Sequence, residues 1–257
     1  MATDKRFTGK RAIVTGAASG IGAATAALLE RDGATVARID VAVVADAGIA
    51  LVADVRDSGQ VDAVVANAVR QLGGLDLVAH IAGVDADRAI KAEVGAYAAA
   101  GGTTGFNGVT SLTDEEWRRV LSINLDGTFY VLRATLRHLT EQGSGAVVTT
   151  ASTAALAGAV GFAHYCASKA GVRLLTQAAA KEAVGFGVRV NAIAPGATNT
   201  PLLRRTPPAV LAQVGGTPIG RAADPDEVAE GIAFLLSDDA SYIVGETLNV
   251  NGGMVTA

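Results

Sequence analysis

The first half of the chain alternates short, continuous apolar runs with stretches whose apolar residues follow the helical period. The apolar runs cover residues 11–16, 34–40, 49–55 and 75–83. Helical patterns lie between them at 21–33, which ends at Gly33, and at about 58–72. Apolar runs without polar alternation are typical of strands that are buried on both faces. The pattern therefore predicts a parallel sheet with helices on both sides.

The second half continues the alternation with longer helices. A helix is predicted over 113–139, where Thr113 is the N-cap and Glu116 completes a capping box. Another covers about 163–184, and a third covers 224–237, with Asp224 as N-cap and Pro225 at the first helical position. Strand patterns occupy 145–152, 188–195 and 246–253. The sheet should therefore have about seven strands.

No linker, repeat or low-complexity stretch interrupts this pattern. We therefore expect a single α/β domain over residues 1–257, built on a Rossmann-type doubly wound parallel sheet. Two segments are irregular: 84–112, which holds five glycines, and 196–223, which prolines and glycines interrupt. Loops of this length in a compact domain are usually lids or binding segments, so we expect both on the substrate side. The rival interpretation of 84–112 is a solvated, disordered insertion.

Composition narrows the possible functions. Glycine makes up 31 of the 257 residues and aromatic residues 4%, which argues against a stacking surface for single-stranded nucleic acid. The net charge of −4 offers no basic surface for nucleic acid or an acidic membrane. Cys166 is the only cysteine, so neither an intrachain disulfide nor a cysteine-rich zinc site is predicted. Without a secretory leader or a membrane-spanning run, we expect a cytoplasmic protein that holds no metal.

A glycine-rich loop follows the first predicted strand. The stretch "TGAASGIG" at 15–22 has glycines at 16, 20 and 22, directly before the first helix. Glycine lets the backbone approach a pyrophosphate, and a helix N-terminus offers free N–H groups and its positive dipole end. In this position the loop predicts a dinucleotide site rather than a tight turn without a ligand.

Asp40 ends the second predicted strand, 18 residues after Gly22. Dinucleotide-binding folds place a carboxylate there on the adenine ribose hydroxyls, where a 2′-phosphate would meet a like charge. The glycine loop contains no Arg or Lys to compensate, which favours NAD over NADP. Asp54, at the end of the third strand, is a weaker candidate for a hydrogen bond to the adenine. The alternative for Asp40 is an exposed aspartate at a strand end.

Tyr165 and Lys169 lie four residues apart, on one face of the predicted helix 163–184. This spacing alone is common on helix surfaces. It is accompanied by Ser152, thirteen residues before the tyrosine, and by Asn124, "PGATNTP" at 195–201 and "NVNGG" at 249–253. Together with TGxxxGIG and YxxxK, and in this order, these motifs resemble the short-chain dehydrogenase/reductase family over nearly the whole chain.

The resemblance implies that Tyr165 is the general acid/base, assisted by Lys169, and that Ser152 holds the substrate oxygen. The alternative for Ser152 is a serine that caps the backbone at the start of a loop. Asn124 would hold a water in the proton relay, or equally be a buried asparagine that satisfies backbone groups. The resemblance also implies a set of cofactor-binding residues: Gly16, Ser19, Gly20, Ile21, Gly22, Asp40, Asp54, Val55, Ala82, Gly83, Tyr165, Lys169, Pro195, Gly196, Thr198 and Thr200.

A tyrosine has a pKa of about 10, too high for a base near neutrality. Lowering that pKa by about three units requires about 4 kcal/mol. An ammonium about 4 Å away, at an effective dielectric constant near 20, supplies an energy of that order. We therefore expect Lys169, helped by the positive charge of the oxidised nicotinamide, to lower the pKa of Tyr165.

The chain departs from the family pattern in three places. The family's "NNAG" is here "HIAG" at 80–83, which keeps only Ala82 and Gly83. We expect His80 to be a packed strand histidine and His164 to line the site. Segment 41–48 is too short for the helix usually found there, and 84–112 is longer than usual.

The sequence thus predicts an NAD-dependent oxidoreductase that interconverts a secondary alcohol and its ketone, assembled as a homotetramer. Leu202 and Leu203 suggest an apolar cyclic, hydroxysteroid-like or acyl substrate, while Arg204 and Arg205 either face solvent or meet an acid. A reductase of 3-oxoacyl thioesters is the first alternative, although the family's frequent use of NADPH there conflicts with Asp40. A non-catalytic dinucleotide-sensing protein is the second alternative, and the complete catalytic set argues against it.

Overall fold

The strands of the fold are the seven apolar runs of the sequence. The structure, a computed structural model, describes residues 5–44, 48–103, 105–207 and 217–256. All the strands are parallel, and they form one sheet in the order β3-β2-β1-β4-β5-β6-β7. The predicted fold class is confirmed. The strands are β1 (Arg11–Thr15), β2 (Thr35–Asp40), β3 (Ile49–Val52), β4 (Leu77–His80), β5 (Gly145–Thr150), β6 (Val188–Pro195) and β7 (Thr247–Val250).

Helices cover both faces of the sheet. The described helices are α1 (Gly20–Arg31), α2 (Ser58–Leu72), α3 (Arg88–Ala99), α4 (Gly108–Ser111), α5 (Asp114–Leu121), α6 (Gly127–Gln142), α7 (Ala163–Ala183), α8 (Pro201–Arg204) and α9 (Pro225–Leu236). Ile13 belongs to the core under α2, α6 and α7, whereas the next residue, Val14, belongs to the core under α1 and α9. Successive strand residues point to opposite faces, so a strand buried on both sides needs an unbroken apolar run.

The direction of strand addition reverses between β1 and β4. These strands are neighbours in the sheet, with Val14 opposite Ala79, although β2 and β3 lie between them in the sequence. At such a switch point the connections leave in opposite directions and open a crevice at the carboxyl ends of the strands. The segments that follow β1 and β4 therefore form the two walls of this crevice.

The helix predicted from Thr113 to Leu139 is not continuous. Its start is as expected: the Thr113 hydroxyl accepts a hydrogen bond from the Glu116 N–H at 3.2 Å, and the Glu116 carboxylate accepts one from the Thr113 N–H at 3.1 Å. After α5, however, Ser122–Asp126 form one turn of π-helix before α6 begins. A single wider turn shifts the apolar positions too little for periodicity to reveal it.

Segment 84–112 is not irregular, because it contains α3 and α4. The rings of Tyr97 and Phe106 lie 5.1 Å apart. Gly95 lies so close to Pro207 that a Cβ at position 95 would be 2.7 Å from the proline Cβ. The described part of the segment is therefore packed, and its interpretation as a disordered insertion is wrong. Its many alanines and glycines give too weak an apolar pattern to predict a helix.

Two of the predictions fall partly on residues that the structure leaves undescribed. In segment 41–48, residues 41–44 form no helix, and 45–47 lie outside the described residues. In segment 196–223, α8 precedes residues 208–216, which also lie outside. In the described part of the chain, no helix is both long enough and apolar enough to cross a membrane.

Candidate active site

The predicted catalytic side chains meet at the carboxyl edge of the sheet. Ser152 follows β5 by two residues, while Tyr165 and Lys169 lie in the first two turns of α7. All three line one cavity of about 220 Å³, which we call the reaction cavity. The apolar side chains of Phe162 and Leu202 form part of its wall. The structure thus brings together three residues that the sequence spreads over 18 positions.

Lys169 is almost completely buried, with 4% of its surface exposed. Its Nζ donates a hydrogen bond to the Thr150 carbonyl at the end of β5, at 2.8 Å, and lies 5.9 Å from the centre of the Tyr165 ring. A Cβ at Gly83 would be 3.3 Å from this Nζ. Burial lowers the pKa of Lys169 to about 8, because an ammonium loses hydration there.

The phenol of Tyr165 shifts in the direction opposite to the one expected. Burial raises the pKa of Tyr165 to about 12, and although the contact with the Ser152 hydroxyl lowers it in part, the nearby charge of Asp85 raises it further. The attraction of an ammonium about 4 Å away would lower this pKa, but the loss of hydration of the phenolate raises it. Desolvation is the larger effect on this half-buried phenol, which lines the reaction cavity.

Ser152 caps the backbone and also lines the reaction cavity. Its Oγ accepts a hydrogen bond from the Ala154 N–H at 3.2 Å and so caps the short 3₁₀ turn at 153–155. A hydroxyl that accepts one bond still has its own hydrogen to donate. Since the residue also lines the reaction cavity, capping the backbone and holding a substrate oxygen are compatible.

Asn124 is completely buried and does not line the reaction cavity. Its Oδ1 accepts from the Val84 N–H at 2.9 Å, and its Nδ2 donates to the Val84 carbonyl at 2.9 Å and to the Ser168 hydroxyl at 3.0 Å. The side chain therefore joins the π-helical turn to the segment after β4 and to α7. This is the geometry of an asparagine that satisfies backbone groups, while its part in a water relay stays a prediction.

The glycine loop borders a cleft of about 540 Å³ at the switch point of the sheet, which we call the cofactor cleft. Gly16 has φ +68°, and a Cβ there would be 2.8 Å from the Ala82 nitrogen. A Cβ at Gly22 would collide with the Gly16 carbonyl. The Ser19 side chain makes no capping hydrogen bond to the first turn of α1. Close backbone contact and a helix N-terminus without a side-chain cap fit the pyrophosphate of a dinucleotide.

Asp40 lies at the cofactor cleft and supports the glycine loop. Its carboxylate accepts hydrogen bonds from the Ala18 N–H at 2.9 Å and from the Ala42 N–H at 3.2 Å. Asp54 lies at the same cleft but pairs with Arg56 at 2.6 Å, and this guanidinium lowers the pKa of the Asp54 carboxyl. Asp40 thus faces no guanidinium partner among the described residues, whereas Asp54 does.

The remaining residues of the predicted cofactor set border these two cavities. The cavities adjoin, because they share several lining residues, among them Ile21, Gly83 and Thr200. The reaction cavity is bordered by Pro195, Gly196 and Thr198. The cofactor cleft is bordered by Gly16, Ser19, Gly20, Ile21, Gly22, Val55, Ala82, Gly83 and Thr200.

Neither histidine near the site lines the reaction cavity. His80 is the packed strand histidine that was expected: its Nδ1 lies 2.8 Å from the Thr15 hydroxyl, and burial, with the charge of Lys169, lowers the pKa of His80 to about 3. The expectation that His164 lines the site is wrong, because this side chain is fully buried away from the cavity. Neighbouring residues on a helix point in different directions, so His164 does not follow Tyr165.

Sequence reasoning missed a buried ion pair beside the reaction cavity. Lys91, in α3, is 2% exposed; its Nζ lies 2.7 Å from Oδ2 of Asp85 and donates to the Leu202 carbonyl at 3.2 Å. Asp85 borders the reaction cavity, and burial raises the pKa of its carboxyl. Lysine side chains are usually exposed. Neither the residue type of Lys91 nor the alanine-rich segment around it therefore predicts that it is buried.

Comparison with protein families and curated proteins gives consistent results. A family model described as enoyl-(acyl carrier protein) reductase matches residues 16–255. The chain is 40% identical to cis-4-hydroxycyclohexanecarboxylate dehydrogenase of Sinomonas cyclohexanicum, over 96% of this chain and 97% of that protein. It is 37% identical to cyclohexanol dehydrogenase of Acinetobacter sp. (strain SE19), over 96% and 95%. It is 34% identical to 3-oxoacyl-[acyl-carrier-protein] reductase FabG of Thermotoga maritima, over 97% and 99%.

Solved structures show the same fold. The structure of levodione reductase superposes with a TM-score of 0.85 and 35% sequence identity, and the match covers 96% of this chain and 98% of that one. The similarity therefore extends over both the cofactor cleft and the reaction cavity.

Proposed function

Because this chain belongs to the short-chain dehydrogenase/reductase family, we propose that it is an NAD-dependent dehydrogenase that interconverts a hydroxyl on a saturated ring and the corresponding ketone. As a member of the family it is an oxidoreductase that acts on a CH–OH group. The observation that carries the finer proposal is the reaction cavity, where Ser152, Tyr165 and Lys169 meet beside a cleft that fits a dinucleotide.

In this proposal the side chains of the reaction cavity move one proton. A bound oxidised nicotinamide would supply the acceptor for the hydride of the carbinol carbon. Ser152 donates a hydrogen bond to the substrate oxygen, and Tyr165 accepts the proton of the hydroxyl as general base. Burial makes the Tyr165 phenolate costly, so a positive charge must stabilise it. Among the described residues that line the cavity, Lys169 is the only cation.

The residues of the cofactor cleft are proposed to hold NAD. The glycine loop and the N-terminus of α1 bind the pyrophosphate, and Asp40 binds the adenine ribose hydroxyls. Thr198 and Thr200 contact the nicotinamide carboxamide. NAD is favoured over NADP because Asp40 would repel a 2′-phosphate, while Arg56, one of three arginines that line the cleft, is already paired with Asp54.

The proposed substrate is a single saturated ring. Two relatives are named for secondary alcohols on a cyclohexane ring. The reaction cavity has apolar walls at Phe162, Leu202 and Leu203, and its volume is about 220 Å³. Sites for drug-sized ligands occupy about 300–1,000 Å³, so this volume favours one ring over a fused steroid.

The test is the formation of reduced nicotinamide from cyclohexanol and 4-hydroxycyclohexanecarboxylate, each with NAD and with NADP. We expect turnover with NAD and much weaker turnover with NADP. A relative is named as a 3-oxoacyl-[acyl-carrier-protein] reductase, so acetoacetyl-CoA with NADPH is the third arm. Faster reduction of this thioester than oxidation of any ring alcohol would replace our proposal with that one. NADH binding without turnover of any substrate would indicate a sensing protein.

We further propose a homotetramer and a cytoplasmic location, both of which rest on the sequence and the family resemblance. The apolar side chains of α9, such as Val228 and Ile232, are buried against the sheet within one chain. Exposed apolar residues beside β7, such as Tyr242 and Val244, remain for a contact between chains.

A further inference from the structure

We propose that a cationic cavity next to the reaction cavity binds a carboxylate group of the substrate. The cavity measures about 800 Å³ and lies between the segment that enters α3 and the end of α8. This inference rests on the proposed function, since it assigns a class of substrate to the same site. We call it the cationic cavity; its charged lining residues are Asp85, Asp87, Arg88, Lys91, Arg119, Arg204 and Arg205.

The cationic cavity adjoins the reaction cavity. Both are lined by Val84, Asp85, Leu202 and Thr206. The two cavities therefore meet between the segment after β4 and α8. A compact ring whose hydroxyl meets Tyr165 can direct a second substituent into the cationic cavity.

The positive charge of this cavity is not balanced from within. Lys91 and Asp85 neutralise each other in their buried ion pair. Asp87 caps α3 by accepting a hydrogen bond from the Ile90 N–H at 3.0 Å. Among the described residues, the other four cations form no ion pair with any carboxylate. These four are Arg88, Arg119, Arg204 and Arg205.

A further carboxylate, Glu116, reduces this excess without cancelling it, because the described residues that line the cavity include five cations and only two carboxylates. Glu116, on the same helix as Arg119, is engaged by the backbone N–H and the hydroxyl of Thr113. An anion that enters the cavity therefore meets a net positive field rather than paired charges.

The chemistry of these groups selects a carboxylate. A guanidinium presents a planar fork of donors that matches the two oxygens of a carboxylate. Arg119 is half-buried and uses one donor on the Asp85 carbonyl, at 3.1 Å, so its other N–H groups remain for a ligand. Among the described residues, the Arg204 side chain donates a hydrogen bond to Asn199 Oδ1 alone, at 3.4 Å. Arg119 thus lines the cavity next to the segment after β4, and Arg204 lines it from α8.

A competing assignment gives the arginines to the dinucleotide. Arg119 and Arg205 also border the cofactor cleft, where a pyrophosphate would attract them. Arg204 borders only the cationic cavity, so it separates the two assignments. If the arginines serve the substrate, replacing Arg204 changes the choice of substrate and leaves the affinity for NADH as it is.

The experiment compares 4-hydroxycyclohexanecarboxylate with its methyl ester, which keeps the ring and loses the charge. The proteins are the wild type, Arg204→Gln, the double variant Arg119→Gln/Arg204→Gln, and Arg118→Gln as the matched control. Arg118 neighbours Arg119 on α5, but it is exposed, pairs with Asp114 and does not line the cavity. The measured quantities are kcat/KM for both compounds with NAD and the Kd of NADH.

We expect the wild type to have a higher kcat/KM for the carboxylate than for the methyl ester. The ratio of these two kcat/KM values should fall about ten-fold in the double variant and by less in Arg204→Gln. Arg118→Gln should keep the wild-type ratio. The inference is overturned if the wild type shows no preference or if the double variant keeps it. It is also overturned if the Kd of NADH in the double variant rises about ten-fold while the ratio of the two kcat/KM values stays constant.

A binding measurement separates failure of this inference from failure of the proposed function. Calorimetry of the NADH complex with cyclohexanecarboxylate and with cyclohexanecarboxamide needs no turnover. Tighter binding of the carboxylate, lost in the double variant, supports the cationic cavity even if no alcohol is oxidised. Equal binding of both compounds contradicts it even if ring alcohols are oxidised. Preferred reduction of acetoacetyl-CoA, lost in the double variant, would assign the cavity to the phosphates of a thioester instead.

Discussion

Replacing Lys169 with methionine should stabilise the fold near neutral pH although it removes a residue of the reaction cavity. Burial lowers the pKa of Lys169 from 10.5 to about 8. At 1.36 kcal/mol per pKa unit, keeping this ammonium charged at pH 7 costs the folded state about 3 kcal/mol. Methionine removes that cost but leaves the Thr150 carbonyl without its 2.8 Å hydrogen bond, which costs about 2 kcal/mol. We therefore expect the variant to be more stable by about 1 kcal/mol at pH 7.

The difference in stability between Lys169→Met and the wild type should depend on pH. In the wild type the unfolded chain holds the lysine proton up to about pH 10.5, whereas the folded chain releases it near pH 8. Between these two pKa values the unfolded state binds more protons than the folded state. The free energy of unfolding of the wild type therefore rises with pH in this range. The variant has no such contribution. Its advantage should therefore shrink by about 2 kcal/mol between pH 7 and pH 10 and change sign.

The assay is urea unfolding of the wild type and Lys169→Met from pH 7 to pH 10, at one protein concentration. Lys181→Met is the matched control, since Lys181 lies on the exposed face of the same helix, α7. The control should follow the wild type at every pH. A difference between Lys169→Met and the wild type that stays constant from pH 7 to pH 10 would refute the assigned burial of the ammonium.

Three further predictions concern the cofactor, the substrate and the assembly. Asp40→Ala should weaken binding of NAD and reduce discrimination against NADP, measured as the ratio of kcat/KM values; a wild type that prefers NADPH contradicts the role of Asp40. Gly95→Val should push α3 away from Pro207, because a Cβ at position 95 would be 2.7 Å from the proline. The substrate KM should therefore rise while the affinity for NADH stays constant. Unchanged KM values for all ring alcohols would show that α3 does not enclose the substrate. Light scattering at micromolar concentration should give the mass of a tetramer, and a monomer would refute that assembly.

Much of the fold could be predicted from the sequence, because the strands are buried on both faces. Ile13 and Val14 must both be apolar when each meets a different core, so β1 is visible as an unbroken run. The glycine loop could be predicted for a related reason. At Gly22 a Cβ would collide with the Gly16 carbonyl, so the contact itself requires the residue type.

The features that could not be predicted depend on contacts between distant segments. Lys91 is buried where it contacts the Asp85 carboxylate and the Leu202 carbonyl. Neither the spacing nor the type of these residues predicts the contact. The raised pKa of Tyr165 has the same origin, since it depends on how much water the surrounding loops exclude. The sequence could therefore predict that Ser152, Tyr165 and Lys169 meet, but neither the ion pair of Lys91 with Asp85 nor the electrostatic environment of Tyr165.

The central claim is that Tyr165 accepts the substrate proton in an NAD-dependent oxidation. The most direct test is the initial rate of NADH formation from cyclohexanol with the wild type and with Tyr165→Phe, with NADH binding measured for both proteins. Phenylalanine keeps the ring and removes the hydroxyl, so we expect NADH to bind equally well and the rate to fall at least about a hundred-fold. A variant that binds NADH and oxidises cyclohexanol at a rate close to that of the wild type would contradict the claim.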